Sequence, residues 1–299
     1  MREVAAIIVT YNRKKLLKES IKSLLNQEKN ELCDIIVIDN ASTDGTKLEI
    51  IDFIESNKIK YINIEKNLGG AGGFNFGIRS AIELGYKYIW LMDDDCIVSK
   101  DSLKELLIAD KTLDGNYGFL SSVVLWKDGK ICNMNKQKIR KNWYEKAEIL
   151  KDGLLSTYYA TFVSFFIKSE VVKQIGLPIK DFFIWGDDVE YTNRISEKYN
   201  CFIVGKSQVT HKTNNNEGSN IARDELSRIN RYRYAYRNEM YIARKNGVKG
   251  FFRQIAKIGL HIFRVLFRNK NGHRLKKITI IIVNSFKGIF FNPPIEYIK

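Results

Sequence analysis

Residues 4–27 have the sequence VAAIIVTYNRKKLLKESIKSLLNQ, and the hydrophobic pattern changes after Thr10. The first seven residues form a continuous apolar run rich in β-branched side chains, which is typical of a strand buried on both faces. From about residue 14 to 27, leucine and isoleucine recur at helical spacing. The stretch therefore predicts a buried strand followed directly by an amphipathic helix.

The same alternation continues through the first hundred residues. Three more strands are predicted at DIIVIDN (34–40), KYINIE (60–65) and KYIWLMD (87–93). Helical patterns lie between them, one after the capping residues of STDGT and one over FNFGIRSAIELG (74–85). Short strand–helix–strand connections favour right-handed βαβ units, so we expect an α/β fold with a mostly parallel central sheet.

Beyond residue 98 the patterns are less regular. Residues 115–150 show no clear period and are interpreted as a polar excursion. Strands are predicted at YYATFVSFFIK (158–168) and CFIVGKSQVT (201–210), and a helix is predicted to begin within IWGDDVEYTNRISEKY (184–199).

Polar residues follow the ends of all four early strands. They are Thr10-Tyr11-Asn12, Asp39-Asn40, Asn67 and Asp93-Asp94-Asp95. In parallel α/β sheets, ligands bind beyond the carboxyl ends of the strands. This distribution therefore predicts a ligand site at one edge of the sheet.

The stretch NLGGAGGFNFG (67–77) is unusually rich in glycine. It lacks the Gly-Lys-Ser/Thr ending of a Walker A loop, and Asn75 occupies the position of the third glycine of a dinucleotide-binding pattern. It also follows the third strand, whereas a dinucleotide-binding loop follows the first.

Two acidic clusters are candidates for chemistry. Asp93 and Asp95 lie two residues apart, so in an extended segment both would point to one side and could bind Mg²⁺ or Mn²⁺. The alternative is a solvated turn. In WGDDVEY (185–191), acids at a helix start would favour the macrodipole, but the aromatic residues before them could raise a carboxylate pKa and create a general base. His211 follows a strand pattern, where it could be structural or a metal ligand.

The net charge of +15 is concentrated near the C-terminal end. Residues 223–299 contain 18 Lys and Arg but only 4 Asp and Glu. From Lys249 to Arg268, basic residues recur every three or four positions among aliphatic and aromatic ones. We interpret this region as an amphipathic helix on an anionic membrane surface. A helical subdomain packed on the body or on a second subunit is the alternative.

The cysteines Cys33, Cys96, Cys132 and Cys201 are widely spaced and include no CxxC pair, which predicts free thiols in a reducing compartment. The apolar run at residues 4–10 is interpreted as a strand and not as a signal peptide. No run of about 18 apolar residues occurs, so a spanning helix is not expected.

Six features occur together over roughly residues 3–215: IIVTYNR, VIDNASTDGT, NLGGAGGFNFG, WLMDDD, WGDDVEY and His211. In this order and at these spacings, the chain resembles family 2 glycosyltransferases of the GT-A fold. NLGGAGGF together with the triple aspartate is most similar to bacterial galactofuranosyltransferases, followed by rhamnosyltransferases. The resemblance implies a catalytic domain over 1–222, with a nucleotide-sugar half at about 1–98 and an acceptor half at about 99–222. Residues 223–299 would form a basic, mainly helical region.

The resemblance also implies roles for individual residues. The nucleotide-sugar donor would be bound by Thr10, Tyr11, Asp39, Asn67, Gly70, Gly72, Gly73, Phe74 and Asp94. The glycine-rich stretch would be a loop that leaves room for a sugar ring beside the diphosphate, with Phe74 and Phe76 in the wall. A divalent metal, Mn²⁺ or Mg²⁺, would be bound by Asp93, Asp95 and His211. Asp188 would be the catalytic base, and the acceptor would contact Trp185, Asp187 and Glu190.

The implied activity is inverting, metal-dependent transfer of a sugar to a hydroxyl of a lipid-linked or cell-surface glycan. Galactofuranose from UDP-galactofuranose is the expected sugar, and dTDP-rhamnose is the alternative donor. We expect a cytoplasmic protein at the inner face of the membrane, and a homo-oligomer is a further option. A sugar-nucleotide nucleotidyltransferase is a rival, although VTYNRK lacks the glycine loop that such enzymes need after the first strand. A nucleic-acid-binding protein is disfavoured because the charge is confined to one region and no nucleic-acid motif is present.

Overall fold

A computed structural model describes residues 2–269 and 271–298, and its central element is one mixed β-sheet. The strands are β1 (Val4–Thr10), β2 (Cys33–Asp39), β3 (Lys60–Asn63), β4 (Tyr88–Asp93), β5 (Cys96–Val98), β6 (Leu120–Leu125), β7 (Lys138–Ile139), β8 (Leu154–Tyr159), β9 (Phe165–Lys168) and β10 (Cys201–His211). The helices of the first half are α1 (Lys14–Leu25), α2 (Thr46–Glu49), α3 (Ile51–Glu55), α4 (Gly69–Glu83) and α5 (Ser102–Thr112). Those of the second half are α6 (Ser169–Ile175), α7 (Asp187–Ser196), α8 (Leu226–Ile229), α9 (Tyr232–Lys245), α10 (Gly247–Arg268) and α11 (Arg274–Phe290).

The sheet has the strand order β3-β2-β1-β4-β9-β6-β10-β8-β7, with β5 paired to β10. β1 pairs in parallel with β2 and β4, and β2 pairs in parallel with β3. The parallel sheet predicted for the first half is therefore confirmed. β9 enters antiparallel between β4 and β6, and β10 runs parallel to β6.

Apolar side chains fill both faces of the sheet, which explains why its central strands have uninterrupted apolar sequences. Along β1, Val4, Ala6 and Ile8 contribute to one buried cluster, and Ala5, Ile7 and Val9 contribute to the other. α1 covers the first face, and α4 covers the second. Because β1, β2 and β4 are parallel neighbours, their carboxyl ends meet at one edge of the sheet, between the two helical layers.

Three predictions about elements were wrong. Residues 158–168 form parts of two strands, β8 and β9, separated by a bend at Ser164, whose φ is 55°. The interval 115–150, interpreted as an excursion, contains the buried central strand β6 and the short strand β7. The helix expected over 74–85 begins at Gly69, so most of the glycine-rich stretch is helical and not a loop.

The C-terminal helices pack against one another beside the sheet. α9 contacts the segment before α7, and α10 and α11 both pack on α9 around Tyr232, Tyr236, Val265 and Ile281. The mainly helical C-terminal region is therefore confirmed. Within the described ranges, none of the helices combines the length and the apolarity that crossing a membrane requires.

Candidate active site

The first part of the site lies where β1 and β4 end side by side. The Thr10 hydroxyl donates to Asp94 Oδ2 at 2.8 Å, and both residues are buried. Arg13, in the turn before α1, contacts Asp94 and Asp95 at 3.2 and 2.7 Å. The site thus holds the guanidinium group of Arg13 beside two of three consecutive acids. The sequence did not identify Arg13 as a site residue, although it lies within VTYNRK.

The triple aspartate does not continue the strand as an extended segment. Residues 94 and 95 form a turn between β4 and β5, so the expected extended segment is wrong. Asp93 and Asp95 nevertheless lie near each other, because the charge of Asp95 helps to raise the pKa of Asp93. Arg13 contacts Asp94 and Asp95, whereas Asp93 lies close enough to Asp187 and Asp188 for its charge to raise the pKa of each. The turn therefore distributes the three carboxylates over two neighbouring parts of the site.

Asp95 and His211 form the part best suited to a metal. His211 Nε2 lies 2.8 Å from Asp95 Oδ1, and the His211 Nδ1 lies 2.8 Å from Asn135 Oδ1. β5 and β10 create this proximity, because their antiparallel register sets Cys96 opposite His211. An outer hydrogen bond of this kind orients an imidazole so that its other nitrogen is available to a cation.

The chemistry of the donor set fits a hard divalent metal. Ligand atoms of Asp95, Cys96 and His211 lie within 4.8 Å of one another. Burial and the neighbouring aspartates raise the pKa of the Cys96 thiol well above its usual value, which argues against a thiolate ligand. One carboxylate and one imidazole remain. The carboxylate suits Mg²⁺ or Mn²⁺, and the imidazole favours a transition metal over Mg²⁺.

The acids of this edge carry more negative charge than Arg13 compensates. Burial and the charge of Asp95 raise the pKa of Asp93 to about 6. Burial raises the pKa of Asp94 to about 7, although Arg13 acts in the opposite direction. Burial also opposes the charge on Asp95, but the hydrogen bond with His211 keeps its pKa below the usual value. A bound cation would stabilise all three in their ionised forms.

The second part of the site is the start of α7. Asp187 is buried, and burial together with the charge of Asp188 raises the pKa of Asp187 well above its usual value. Burial raises the pKa of Asp188 to about 6, while the backbone N–H of Val189 donates to Asp188 Oδ1 at 2.7 Å and limits the rise. A partly exposed carboxylate with a pKa near neutrality has the properties of a general base.

The segment that leads into α7 is held in an unusual conformation. Phe183 and Trp185 have positive φ values of 64° and 65°. The buried Asn238 amide of α9 donates to the carbonyls of Phe182 and Trp185 at 3.0 and 2.8 Å. Positive φ at bulky residues costs about 1–3 kcal/mol each and persists only where surrounding contacts impose it. α9 therefore fixes the backbone that positions Asp188.

The third part of the site is the end of β2. Asp39 is buried and accepts hydrogen bonds from the Tyr61 hydroxyl at 2.7 Å and from the backbone N–H of Ser42 at 2.8 Å. Asn40 joins this strand end to the start of α4. Its Oδ1 accepts from the Leu68 N–H and its Nδ2 donates to the Gly69 carbonyl, each at 3.2 Å. Polar groups from β1, β2 and β4 therefore converge as the sequence predicted.

A positive rim lies on the other side of the acids. Partial burial and the charges of Arg228 and Arg13 lower the pKa of Arg231. Cationic groups beside buried carboxylates can bind an anion and a metal together, as a metal–diphosphate complex requires.

Comparison with known proteins identifies the family. The model of glycosyl transferase family 2 matches residues 5–176, which is more than half of the chain. The chain belongs to glycosyl transferase family 2. It is similar to galactofuranosyltransferase GlfT1 of Mycolicibacterium smegmatis, with 26% identity over 205 residues that cover 64% of this chain and 65% of that protein. It is also similar to dTDP-rhamnosyl transferase RfbF of Shigella flexneri, with 24% identity over 96% of both chains. The match with GlfT1 thus spans slightly less than two thirds of that relative.

Two solved structures share the GT-A fold with this family 2 chain. TarS 1-349 of S. aureus superposes with a TM-score of 0.54 and 17% identity over 95% of this chain and 72% of that one. The mannosyltransferase PcManGT from Pyrobaculum calidifontis, solved with GDP-Man and Mn²⁺, gives a TM-score of 0.57 and 16% identity over 98% and 76%. The predicted GT-A fold is confirmed.

The glycines of this family 2 chain serve packing more than ligand access. A Cβ on Gly73 would lie 2.5 Å from Val9 Cγ1, and one on Gly77 would lie 2.7 Å from Ile7 Cγ2, so both let α4 approach β1 closely. Gly72 is also buried, against Leu68. Only Gly70 in this group faces open space. The interpretation of the stretch as a roomy sugar loop is therefore corrected to a tightly packed helix N-terminus.

Other predicted donor and acceptor residues differ in placement. Phe74 is 3% exposed and packs on Phe162 in the core, so it is not part of an accessible wall. Asn67 accepts from the Gly69 N–H at 2.8 Å, and Tyr11 is exposed beyond β1. Both carboxylate oxygens of Glu190 accept hydrogen bonds from Arg194. The predicted contact of Glu190 with the acceptor sugar stays a prediction. Trp185 packs against Tyr232 at the entrance to α7.

Proposed function

We propose that this chain is an inverting, metal-dependent glycosyltransferase that uses a nucleotide-linked sugar. The observation that carries the proposal is the contact of Asp95 with His211, a pair suited to a metal, near the acids Asp187 and Asp188 at the start of α7. The charge of Asp93 acts on both pairs. The division into a catalytic region over 1–222 and a basic region over 223–299 is part of the proposal.

Each strand end would bind a different part of the donor. Asp39, held by Tyr61 and by the Ser42 N–H, would accept hydrogen bonds from the base or ribose of the nucleotide. Thr10 and Asp94 would complete that contact, and Asn67 and Gly70 would border the sugar. Arg13 would exchange part of its ion pair with the acids for the diphosphate oxygens.

Asp93, Asp95 and His211 would hold Mn²⁺ or Mg²⁺. When bound there, the cation would neutralise the charge that develops on the departing diphosphate. Asn135 would keep the imidazole oriented, because Nδ1 of His211 is already committed to Asn135. Arg231 and Arg13 would add positive charge on the same side as the leaving group.

Asp188 would act as the base. Its carboxylate would take the proton of an acceptor hydroxyl while that oxygen attacks the anomeric carbon from the face opposite the diphosphate. The new C–O bond forms as the bond from carbon to the diphosphate breaks, so a single displacement inverts the anomeric configuration. Asp187 and Trp185 would orient the acceptor beside Asp188.

UDP-galactofuranose is the donor we favour, and the similarity to GlfT1 supports this choice. dTDP-rhamnose is the second candidate, supported by the similarity to RfbF over nearly the whole of both chains. Membership of glycosyl transferase family 2 disfavours the nucleotidyltransferase rival. The acceptor class that we propose is a lipid-linked or cell-surface glycan.

The test is a donor panel of UDP-galactofuranose, dTDP-rhamnose and UDP-hexopyranoses with Mn²⁺, first by thermal shift and then by transfer. We expect UDP-galactofuranose to raise the melting temperature most and to give a product with inverted anomeric configuration by NMR. A larger shift with dTDP-rhamnose would select the second candidate. A retained anomeric configuration would contradict a single displacement by the acceptor oxygen with Asp188 as the base.

A further inference from the structure

α10 has three faces of different chemistry, which follow from residues three or four positions apart sharing one side of a helix. The side toward α9 contributes Ile258, Ile262 and Val265 to a buried cluster. An adjacent side exposes an apolar stripe: Val248, Phe252, Ile255, Leu260, Phe263, Leu266 and Phe267. Basic residues run along one border of this stripe: Lys249, Arg253, Lys257, Arg264 and Arg268.

α11 repeats the arrangement. Ile281, Ser285 and Gly288 are buried, and Gly288 lies so close to the Arg237 carbonyl of α9 that a Cβ would be 2.5 Å from its oxygen. The outward stripe consists of Leu275, Ile282, Val283, Phe286 and Phe290. Since α10 and α11 bury their inner stripes in one shared cluster on α9, both outer stripes face away from it.

The two helices hold a disproportionate share of the exposed apolar surface. Among the described residues, 12 of the 24 large exposed apolar side chains lie in α10 and α11. Phe252 and Phe267 are 65% and 70% exposed, and Leu275 is 83% exposed. Exposed apolar side chains in this number, on two helices that share one buried cluster, indicate an interaction surface.

The charge around these stripes is of one sign. Residues 240–295 contain 12 Lys and Arg and no Asp or Glu. Lys257 of α10 pairs with Glu239 of α9 at 2.8 Å, and Lys277 is buried against Asn269. Among the described residues, the other basic side chains at the border of the α10 stripe make no ion pair with an acid: Lys249, Arg253, Arg264 and Arg268. The surface therefore complements an anionic and partly apolar partner.

We propose that α10 and α11 form a docking surface for an anionic lipid bilayer, in which the outer stripes enter the headgroup–acyl boundary. Phenylalanine and leucine along the helix with lysine and arginine at its border is the pattern of helices that lie in a membrane interface. Each basic residue near an anionic leaflet adds to the attraction. The surface does not depend on the proposed transferase activity.

Two other partners fit less well. A second copy of the chain would bring two faces of the same positive charge together without a single acid from residues 240–295 to pair them. A nucleic acid would use the basic border but would leave the central phenylalanine and leucine side chains without an apolar partner. A bilayer satisfies both parts of the surface.

The test is flotation of the full-length chain with two kinds of vesicle, phosphatidylcholine alone and phosphatidylcholine mixed with phosphatidylglycerol. We expect the chain to float with the mixed vesicles and to remain largely unbound with phosphatidylcholine alone. In F252S/F263S/F267S, we expect the partition coefficient to fall by about a hundredfold, because three exposed rings lose their apolar contact. In K249Q/R253Q/R268Q, we expect a loss on the order of a hundredfold for the mixed vesicles only.

Matched variants on the body serve as controls. L48S/L84S/I108S removes exposed apolar side chains, and K22Q/K58Q/K111Q removes exposed charges, so both should float like the unmodified chain. All altered positions are exposed, and thermal unfolding verifies that each variant folds.

A chain that does not float with mixed vesicles would overturn the proposal. Self-association of the chain that is lost in F252S/F263S/F267S would also overturn it. Tight binding to duplex nucleic acid that is lost only in K249Q/R253Q/R268Q would overturn it as well. Sugar transfer to a water-soluble acceptor should survive in both α10 variants, which separates this proposal from the proposed function.

Discussion

The α/β body and the C-terminal helices use the same residue types in opposite ways. In the body, apolar side chains fill both faces of the sheet, and buried acids collect at one edge. In α10 and α11, apolar side chains point outward and the charged border is entirely basic. The body thus collects buried charged groups at one edge of the sheet, whereas the helices expose an apolar surface with a basic border.

This difference predicts that mutations can affect catalysis and surface binding separately. Changes among the acids should affect chemistry without affecting surface binding, and changes on the outer stripes should do the reverse. α9 is where the two regions meet, because its Asn238 holds the segment before α7 while its other contacts receive α10 and α11.

The largest effect is expected for Asp188→Asn. Loss of the base should lower kcat by about a hundredfold to ten-thousandfold. Donor affinity should change little, because we propose that Asp188 contacts the acceptor and not the donor. Transfer kinetics together with calorimetric titration of the donor would measure both, with the exposed Asp52→Asn as the matched control. An equal loss of donor binding and transfer would argue against the role of a base.

A smaller effect is expected at Asn135, which sequence reasoning missed. Asn135→Ala removes the acceptor of His211 Nδ1 and should lower Mn²⁺ affinity by about tenfold to a hundredfold. Mn²⁺ dependence of the rate and direct Mn²⁺ titration should agree, and excess Mn²⁺ should restore most of kcat. Asn116→Ala, at an exposed position, is the control. Unchanged Mn²⁺ affinity would remove His211 from the set of ligands.

The pH profile provides a third comparison. Burial raises the pKa of Asp188 from 3.8 to about 6, so the ionised base is present above pH 6 and is lost as the pH falls through 6. The rate should therefore decrease about tenfold per pH unit below that value. Vesicle binding should be nearly constant over the same interval, because lysine and arginine stay charged. A flat rate profile between pH 5 and 7 would contradict the assignment.

The smallest effect is expected at the junction of the two regions. Asn238→Ala would remove the donors to the carbonyls of Phe182 and Trp185 and loosen the loop before Asp188. We expect kcat to fall by about tenfold with little change in donor KM, since misplacement of a reacting group affects the chemical step most. Asn284→Ala on α11, whose amide bonds only within its own helix, should have no such effect. Equal effects of the two variants would indicate general destabilisation.

The sequence predicted the parts of the fold that depend on local pattern. The apolar runs of β1, β2 and β4 fixed the parallel sheet, and Asp39 and Asp93 were found because they follow those runs. β6 was missed since its short apolar sequence lies in a polar segment, and only its position between β9 and β10 makes it a buried strand.

The parts that depend on tertiary contact were harder to predict. The density of glycine suggested a ligand loop, but the closeness of Gly73 to Val9 and of Gly77 to Ile7 appears only when α4 lies on β1. Arg13 and Asn135 act on residues far away in the chain, so no local spacing identified them. The turn at residues 94 and 95 likewise follows from the pairing of β5 with β10.

The central claim is that the acids at the sheet edge, together with a divalent metal, catalyse release of a nucleoside diphosphate from a sugar nucleotide. The most direct measurement is the rate of that release from UDP-galactofuranose and dTDP-rhamnose, on the full-length chain with Mn²⁺, after EDTA, and after Mn²⁺ is restored. The account predicts release with Mn²⁺, its loss after EDTA, its recovery on adding Mn²⁺, and its loss in Asp188→Asn. Release that is unaffected by EDTA and by that substitution would contradict the account.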